Sequence, residues 1–452
     1  MAIGTLSKEE FISILNTHLT PSDPVKDERR LYGRETILRD IDDALTARGR
    51  QIFIYGERGV GKTSIALTAA RLHLPESQEP IYLACSSDTT FYHLIRLLAA
   101  KIVGNPLQKT EKITESAEGG ASASFLGAGF NAKGSKQKSW EDGVIPEISD
   151  LNQAVDLIKW AVDCKPAEKR IIVIDEFDTI ADINERGRFA DLLKQLGDQA
   201  VPIQILFCGV GQSVDELFEA HNSSVRYLYT VPVERLDYDA RWAIIDNSAK
   251  ALGVRVPEPH RTRIAMLSDG FPHYIHLVCR ELFLAMNRDQ DIRDTALPEH
   301  YLEAVKRAVK GADLRYRFSY DKATQRQSPD YDLVLWAVAA HYELVRKHEN
   351  IYDFYAAVLA PLRESEVLSR EKFYERLRKL KSQPCGQILL SRRSGWYQFQ
   401  ESMVRGYVRL RAEEQGVELP FDHTPEPNPR LPTVGAPKLR PINVISRRQR
   451  WG

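Results

Sequence analysis

The sequence carries no surplus of charge. Its 62 Lys+Arg balance 62 Asp+Glu over 452 residues. A neutral chain is not a wholesale polyanion binder, but a basic face balanced by an acidic one stays open, so charge must be counted locally. Long apolar runs are also missing. The longest, such as Val334 to Ala340, fall far short of the roughly 18 residues needed to cross a membrane, and no membrane association is expected. Met1 to Thr5 lacks the charged-then-apolar layout of a signal peptide. Cysteine is scarce and scattered: Cys85, Cys164, Cys208, Cys279 and Cys385, odd in number and without a CxxC. That argues against a disulfide framework or a zinc site and for a reducing, cytoplasmic setting. There is no internal repeat.

What is present is ordinary globular composition, long enough for about two to four domains. Residues 1–30 are polar, with Pro21, Ser22, Asp23 and Pro24 marking an irregular lead-in. Beyond them, short apolar runs alternate with helical spacing. Ile52 to Tyr55, Ile81 to Ala84, Ile171 to Ile174 and Ile203 to Phe207 read as buried strands. Arg34 to Leu45, Thr63 to Leu72, Phe91 to Ile102, Leu151 to Val162 and Phe189 to Leu196 read as helices. Such alternation predicts an α/β core, a parallel sheet covered on both faces, over residues 31–235. Residues 104–143 interrupt it as a Gly-rich insertion, with six of the 26 glycines between Gly104 and Gly134. It reads either as a passive linker or as a loop that touches a partner. Residues 236–315 turn helical without strand-like runs. Residues 424–452 hold six of the 23 prolines and read as a flexible tail.

Two motifs carry chemistry. Gly56-Glu57-Arg58-Gly59-Val60-Gly61-Lys62-Thr63 fits G-x-x-x-x-G-K-[ST] without a mismatch, between a strand and a helix. The glycines let backbone N–H groups fold around phosphate oxygens, and the following helix points its positive end at them. Lys62 would reach the β- and γ-phosphates of ATP, Thr63 would ligate Mg²⁺, and Ser64 extends the contact surface. In the empty loop Lys62 is expected to face solvent. The second motif is Ile171-Ile172-Val173-Ile174-Asp175-Glu176, a buried strand ending in two acids about 110 residues after the loop. Asp175 would hold the Mg²⁺ shell and Glu176 would activate the attacking water. Asp178 reads as a solvated neighbour or a partner contact.

On these motifs the chain resembles the AAA+ and STAND class of P-loop ATPases, nearest its replication-initiator and archaeal-type branch, over about residues 28–290. Leu31-Tyr32-Gly33-Arg34-Glu35 is similar to the box that borders the adenine in that class, which implies nucleotide contacts from Tyr32, Gly33 and Arg34. Phe207-Cys208-Gly209-Val210-Gly211-Gln212-Ser213 resembles the strand carrying the first sensor, with Gln212 where many relatives have Asn. His221 to Arg226 resembles the segment bearing an arginine finger, which implies that Arg226 faces the γ-phosphate held by a neighbouring subunit. Gly270-Phe271-Pro272 resembles the STAND lid signature, with Pro272 near the base. The second-sensor arginine is absent, His273 standing nearest its place, which implies a slow switch.

In residues 330–415, Ser369 can cap a helix with Phe373, Leu377 and Leu380 on one stripe. A strand–turn–strand around Ser394-Gly395 follows, and Trp396, Tyr397 and Phe399 are expected in the hairpin core. This is winged-helix layout. Ser369 to Arg411 contains 11 Lys+Arg and three Asp+Glu, a net of +8, able to dock on a phosphate backbone. The sequence thus predicts an α/β P-loop NTPase core, a helical lid and a C-terminal winged helix. The expected activity is ATP binding with slow hydrolysis, in a homo-oligomeric switch that acts on nucleic acid. The other reading is a STAND-like signalling or antiviral-defence ATPase that activates a protein partner without DNA.

Overall fold

The β-branched runs fold as strands because a parallel sheet buries both faces and rewards continuous Val, Ile and Leu. A computed structural model describes residues 3–47, 49–104, 145–165, 170–210, 227–291, 294–325 and 327–420. The expected Gly-rich insertion and Pro-rich tail lie outside the described residues. The described chain divides into two compact units, one made of Thr36–Gly56 and Lys62–Val233, the other of the chain before Thr36, Glu57–Gly61 and the chain from Glu234 onward.

The first unit is an α/β core built on a five-stranded parallel sheet. Strands β1 (Gln51–Gly56), β2 (Ile81–Ala84), β3 (Ile171–Asp175), β4 (Gln204–Gly209) and β5 (Leu228–Val233) form one sheet in the order β2-β3-β4-β1-β5. Every pairing is parallel. Helices α2 (Glu35–Thr46), α3 (Lys62–His73), α4 (Phe91–Val103), α5 (Leu151–Asp163) and α6 (Ile183–Asp198) alternate with the strands, and α3 packs on β3 and β4. Phe53, Phe91, Phe177, Phe189 and Phe207 build an aromatic cluster, mostly edge to face, with Phe177 5.1 Å from Phe207 and 5.2 Å from Phe189. Strand β5 is absent from the sequence expectation. Its run contains Pro232, which cannot donate to a ladder, and the structure accommodates it at the sheet edge, level with Tyr55.

The second unit is mainly helical. The stretch around Pro21–Pro24 is irregular as expected, but it is preceded by an unforeseen regular helix, α1 (Lys8–His18), started by a reciprocal capping box between Ser7 and Glu10. It buries Phe11 and Leu15, and Asn16 accepts from Arg280. Next come α7 (Tyr238–Ala251), α8 (Glu258–Leu267), α9 (Pro272–Arg288), α10 (Pro298–Gly311) and α11 (Leu314–Thr324). The chain continues through α12 (Asp330–Ala339), α13 (His348–Phe354), α14 (Arg370–Lys379) and α15 (Ser402–Glu414). Ser369 caps α14 by accepting from the Lys372 N–H. A small antiparallel sheet orders β6 (Arg346–Lys347), β8 (Trp396–Phe399) and β7 (Leu389–Leu390) as β6-β8-β7. Tyr397 and Phe399 are buried in it, while Trp396 is only half-buried, with Arg393 5.4 Å over its ring.

Helix α15 lies against α10, α11 and α12 and is buried continuously from Met403 to Leu410. The net +8 therefore overstates the surface charge of Ser369 to Arg411. Arg405 and Arg409 are each only 2% exposed, and Arg376 is paired with Asp330 at 2.9 Å. The spacing of four that separates Arg405 from Arg409 puts both on one helical face, and that face points inward.

Candidate active site

The sheet unit brings the two motifs together. Strand β1 ends at Gly56, and Lys62 opens α3. Contrary to expectation, Lys62 does not face solvent: it is 9% exposed, and its ammonium donates to the Gly56 carbonyl at 3.1 Å. A buried ammonium must find acceptors, and the loop's own backbone provides one. Because α3 packs on β3, the Thr63 hydroxyl reaches the end of that strand and donates to Asp175 Oδ2 at 2.6 Å. The Tyr82 hydroxyl donates to the same oxygen at 3.1 Å, and the Glu176 N–H donates to Oδ1 at 2.9 Å. Burial, then the adjacent Asp175, pushes the Tyr82 phenol far up, so it stays a donor. Tyr82 was not legible as a site residue: its only sequence signal is its place on the strand that pairs with β3.

Glu176 follows Asp175 at the end of β3. Its backbone is left-handed, with φ of 53°, a conformation that costs a non-glycine residue about 1 kcal/mol or more. The turn is held on both sides. Thr179 donates its hydroxyl to the Glu176 carbonyl at 2.7 Å, and Phe177 is sunk in the aromatic cluster. The Glu176 side is left exposed. Asp178 is half-buried, and its Oδ1 accepts from the Val210 N–H at 2.5 Å, which ties this turn to the end of β4. Burial pushes the Cys85 thiol up to about 12 and the Cys208 thiol well above its ordinary value, so neither provides a thiolate. Gln212 and Arg226 lie outside the described residues.

The second unit holds the remainder of the loop, Glu57–Gly61. Gly61 has φ of 97° with open space where a Cβ would be, as a loop built to admit a ligand requires. Gly59, at φ of 85°, would place a Cβ 2.2 Å from Met403 Sδ. Arg58 is exposed and Val60 buried. Arg34 is buried and serves the loop, donating to the Val60 carbonyl at 3.0 Å and to the Glu234 carbonyl at 2.7 Å. Tyr32 and Pro272 are half-buried and Gly33 exposed; Pro272 begins α9, a position that suits its fixed φ. His273 is committed elsewhere, its Nδ1 meeting the Pro21 carbonyl at 2.8 Å, and burial lowers its pKa. Glu57 accepts from Arg235 Nε at 2.8 Å. Arg235 was missed by sequence reasoning, because a single arginine after a strand has no distinguishing pattern.

Two hard oxygen donors, Thr63 Oγ1 and Asp175 Oδ2, face each other at the end of β3. That donor set suits Mg²⁺, which takes oxygen ligands and needs few from the protein. Among the described residues no group of three or more His, Cys, Asp or Glu could hold a metal by itself, and no helix is long and apolar enough to cross a membrane.

Residues 30–206 match the family of AAA ATPase domains. Among solved structures, a Walker-type ATPase of Pyrococcus abyssi overlaps with 14% identity, 86% of this chain, 99% of that chain and a TM-score of 0.46. The Orc1 protein of Aeropyrum pernix, solved in complex with DNA, overlaps with 16% identity, 84% of this chain, 92% of that chain and a TM-score of 0.41. The RuvB Holliday junction branch migration motor of Thermotoga maritima gives 12% identity, 87% of this chain, 98% of that chain and a TM-score of 0.41. Likeness this loose leaves function to the site's own geometry. No curated protein matches the chain.

Proposed function

We propose that this chain, whose residues 30–206 match the family of AAA ATPase domains, is an ATP-hydrolysing molecular switch. The observation that carries the reading is the 2.6 Å hydrogen bond from Thr63 to Asp175, which joins the loop's hydroxyl to the acid at the end of a buried strand. Gly56 to Ser64 holds the triphosphate, with Lys62 leaving the Gly56 carbonyl for phosphate oxygens. Thr63 and Asp175 hold Mg²⁺, which when bound neutralises charge on the phosphates. Glu176, exposed beside Asp175, accepts the proton of the attacking water. Tyr32, Gly33, Arg34 and Pro272 border the base. Arg226 from a neighbouring subunit stabilises transition-state charge, with Gln212 as first sensor, so the active form is a homo-oligomer.

For the partner we favour nucleic acid, bound by a winged-helix module over residues 330–415. Arg370, Lys372, Arg378, Lys379, Arg392 and Arg393 are exposed on it, while the buried Arg405 and Arg409 contribute nothing to docking. With Arg363, which is also exposed, seven cations predict that log affinity for duplex DNA falls with log salt at a slope no steeper than about −6. Binding of a protein partner instead would leave no such dependence.

The test of the site is direct. Lys62→Ala should abolish ATP binding by calorimetry. Glu176→Gln should retain binding while turnover drops about a hundredfold or more. Unchanged affinity in the first variant, or unchanged turnover in the second, removes that residue from its role.

A further inference from the structure

The second unit contains a cation-rich cluster that the ATPase reading does not use. Arg235 bridges two carboxylates, Glu57 at 2.8 Å and Asp269 at 2.7 Å, and lies 4.5 Å over the Phe271 ring. Asp269 is bound from its other side by α15: Arg409 Nη1 is 2.9 Å from Oδ1, and Arg405 Nε is 3.5 Å from Oδ2. Arg409 also donates to the carbonyls of Ala339, Met266 and His341 at 2.9, 3.2 and 2.8 Å. Arg405 donates to the carbonyls of Glu343 and His341. Asp269 has φ of 53°, a strained conformation for a non-glycine residue. These ion pairs hold its carboxylate in place. Burial disfavours its charge, but the fields of Arg409, Arg405, Arg235 and Arg241 outweigh that and hold the carboxyl below its ordinary value.

Helix α15 reaches the loop by a second route. Met403, two residues before Arg405, places Sδ against Gly59 where no Cβ would fit. It is fixed there by the Tyr274 hydroxyl on its carbonyl at 2.5 Å and the Tyr316 hydroxyl on its sulfur at 3.2 Å. A cluster of this kind is a poor way to gain stability, because apolar residues of the same volume usually do as well. The best-attested use of buried ions is to specify one arrangement over another. One of its nitrogens, Arg235 Nη2, is buried and makes no hydrogen bond.

We propose that Arg235 is a positioning residue of the phosphate loop, through which α15 sets the conformation of Glu57 and hence the affinity for nucleotide. The proposal rests on the loop binding ATP. Arg235 touches no reacting atom. It transmits the position of Asp269, fixed by Arg405 and Arg409, to the second residue of the loop. By linkage the effect is reciprocal, so nucleotide binding changes the hold of the cluster on α15.

A thermodynamic cycle tests it in the full-length chain with ATP and ADP as probes, read by calorimetry. Arg409→Lys, which alters the hold on Asp269, should weaken ATP binding about tenfold in the parent. In a Glu57→Ala background, where Arg235 has no side-chain acceptor at the loop, the same change should weaken it less than twofold. Equal effects in both backgrounds, or no effect in the parent, overturn the proposal, because a merely structural role acts independently of Glu57. Should Arg409→Lys fail to fold by circular dichroism, Arg235→Lys against Arg235→Gln replaces it. The lysine should recover most of the affinity that the glutamine loses, and equal losses overturn the proposal. A parent chain that binds neither nucleotide defeats the ATPase reading and this proposal together, whereas normal ATP binding without background dependence defeats this proposal alone.

Discussion

The two units bury charge differently. In the sheet unit the buried charged residues among those described are Lys62, Arg170 and Asp175, and two of the three belong to the site. Elsewhere its interior is aliphatic strands and an aromatic cluster. The helical unit buries Arg34, Asp269, Arg346, Arg405, Arg409 and Glu413. Glu413 of α15 accepts from Arg263 of α8 and, at 2.7 Å, from Tyr301 of α10. One unit is held by water-excluded hydrocarbon and keeps its charge for chemistry. The other uses charge to fix how its helices meet.

On that contrast, breaking the ionic network should be the costliest single change. Asp269→Ala strands Arg405, Arg409 and Arg235 without their carboxylate and should lower stability by about 3–5 kcal/mol in urea unfolding. A near-neutral result would mean that the helical unit, like the sheet, rests on apolar packing. The same carboxylate gives a pH signature. Its folded pKa lies below the ordinary value of 3.8, so its contribution is complete above about pH 4 and is lost as pH falls through the lowered value. The parent should show that acid loss and Asp269→Ala should lack it.

Ile205→Val sharpens the other side of the comparison. Ile205 is fully buried in β4, and removing one methylene should cost about 1 kcal/mol, equally at pH 4 and pH 7. A smaller effect still is expected from Ser7→Ala, which removes the capping box of α1 and should cost about 0.5 kcal/mol. Thermal melts would resolve it, and a larger loss would mean that α1 anchors more than its own first turn.

The contrast also explains what could be read from sequence. Ile171 to Asp175, Ile52 to Gly56 and the glycine spacing of the loop declare themselves because periodicity and motif are local properties. The meeting of Thr63 with Asp175 follows from the strand order that such motifs imply. The ionic network is non-local. Asp269, Arg235 and Arg409 are far apart in the chain, and a basic residue read alone looks like surface. Arg405 and Arg409 were counted as surface charge for that reason, although their spacing of four amid Met403, Val404, Tyr407, Val408 and Leu410 is a sign of an inward face. Helix α1 was equally legible in Ser7-Lys8-Glu9-Glu10 and was obscured by the polar residues around it.

Pro232, which kept β5 from being foreseen, has a consequence for solubility. An open sheet leaves a row of backbone donors and acceptors along its last strand, a template for a stray chain to join. Among the described residues the last strand beyond β1 is β5, and its exposed fifth residue has no N–H to offer. An incoming strand would meet a broken ladder there. The residue that weakens β5 as a strand also guards that edge of the sheet against growth into aggregates.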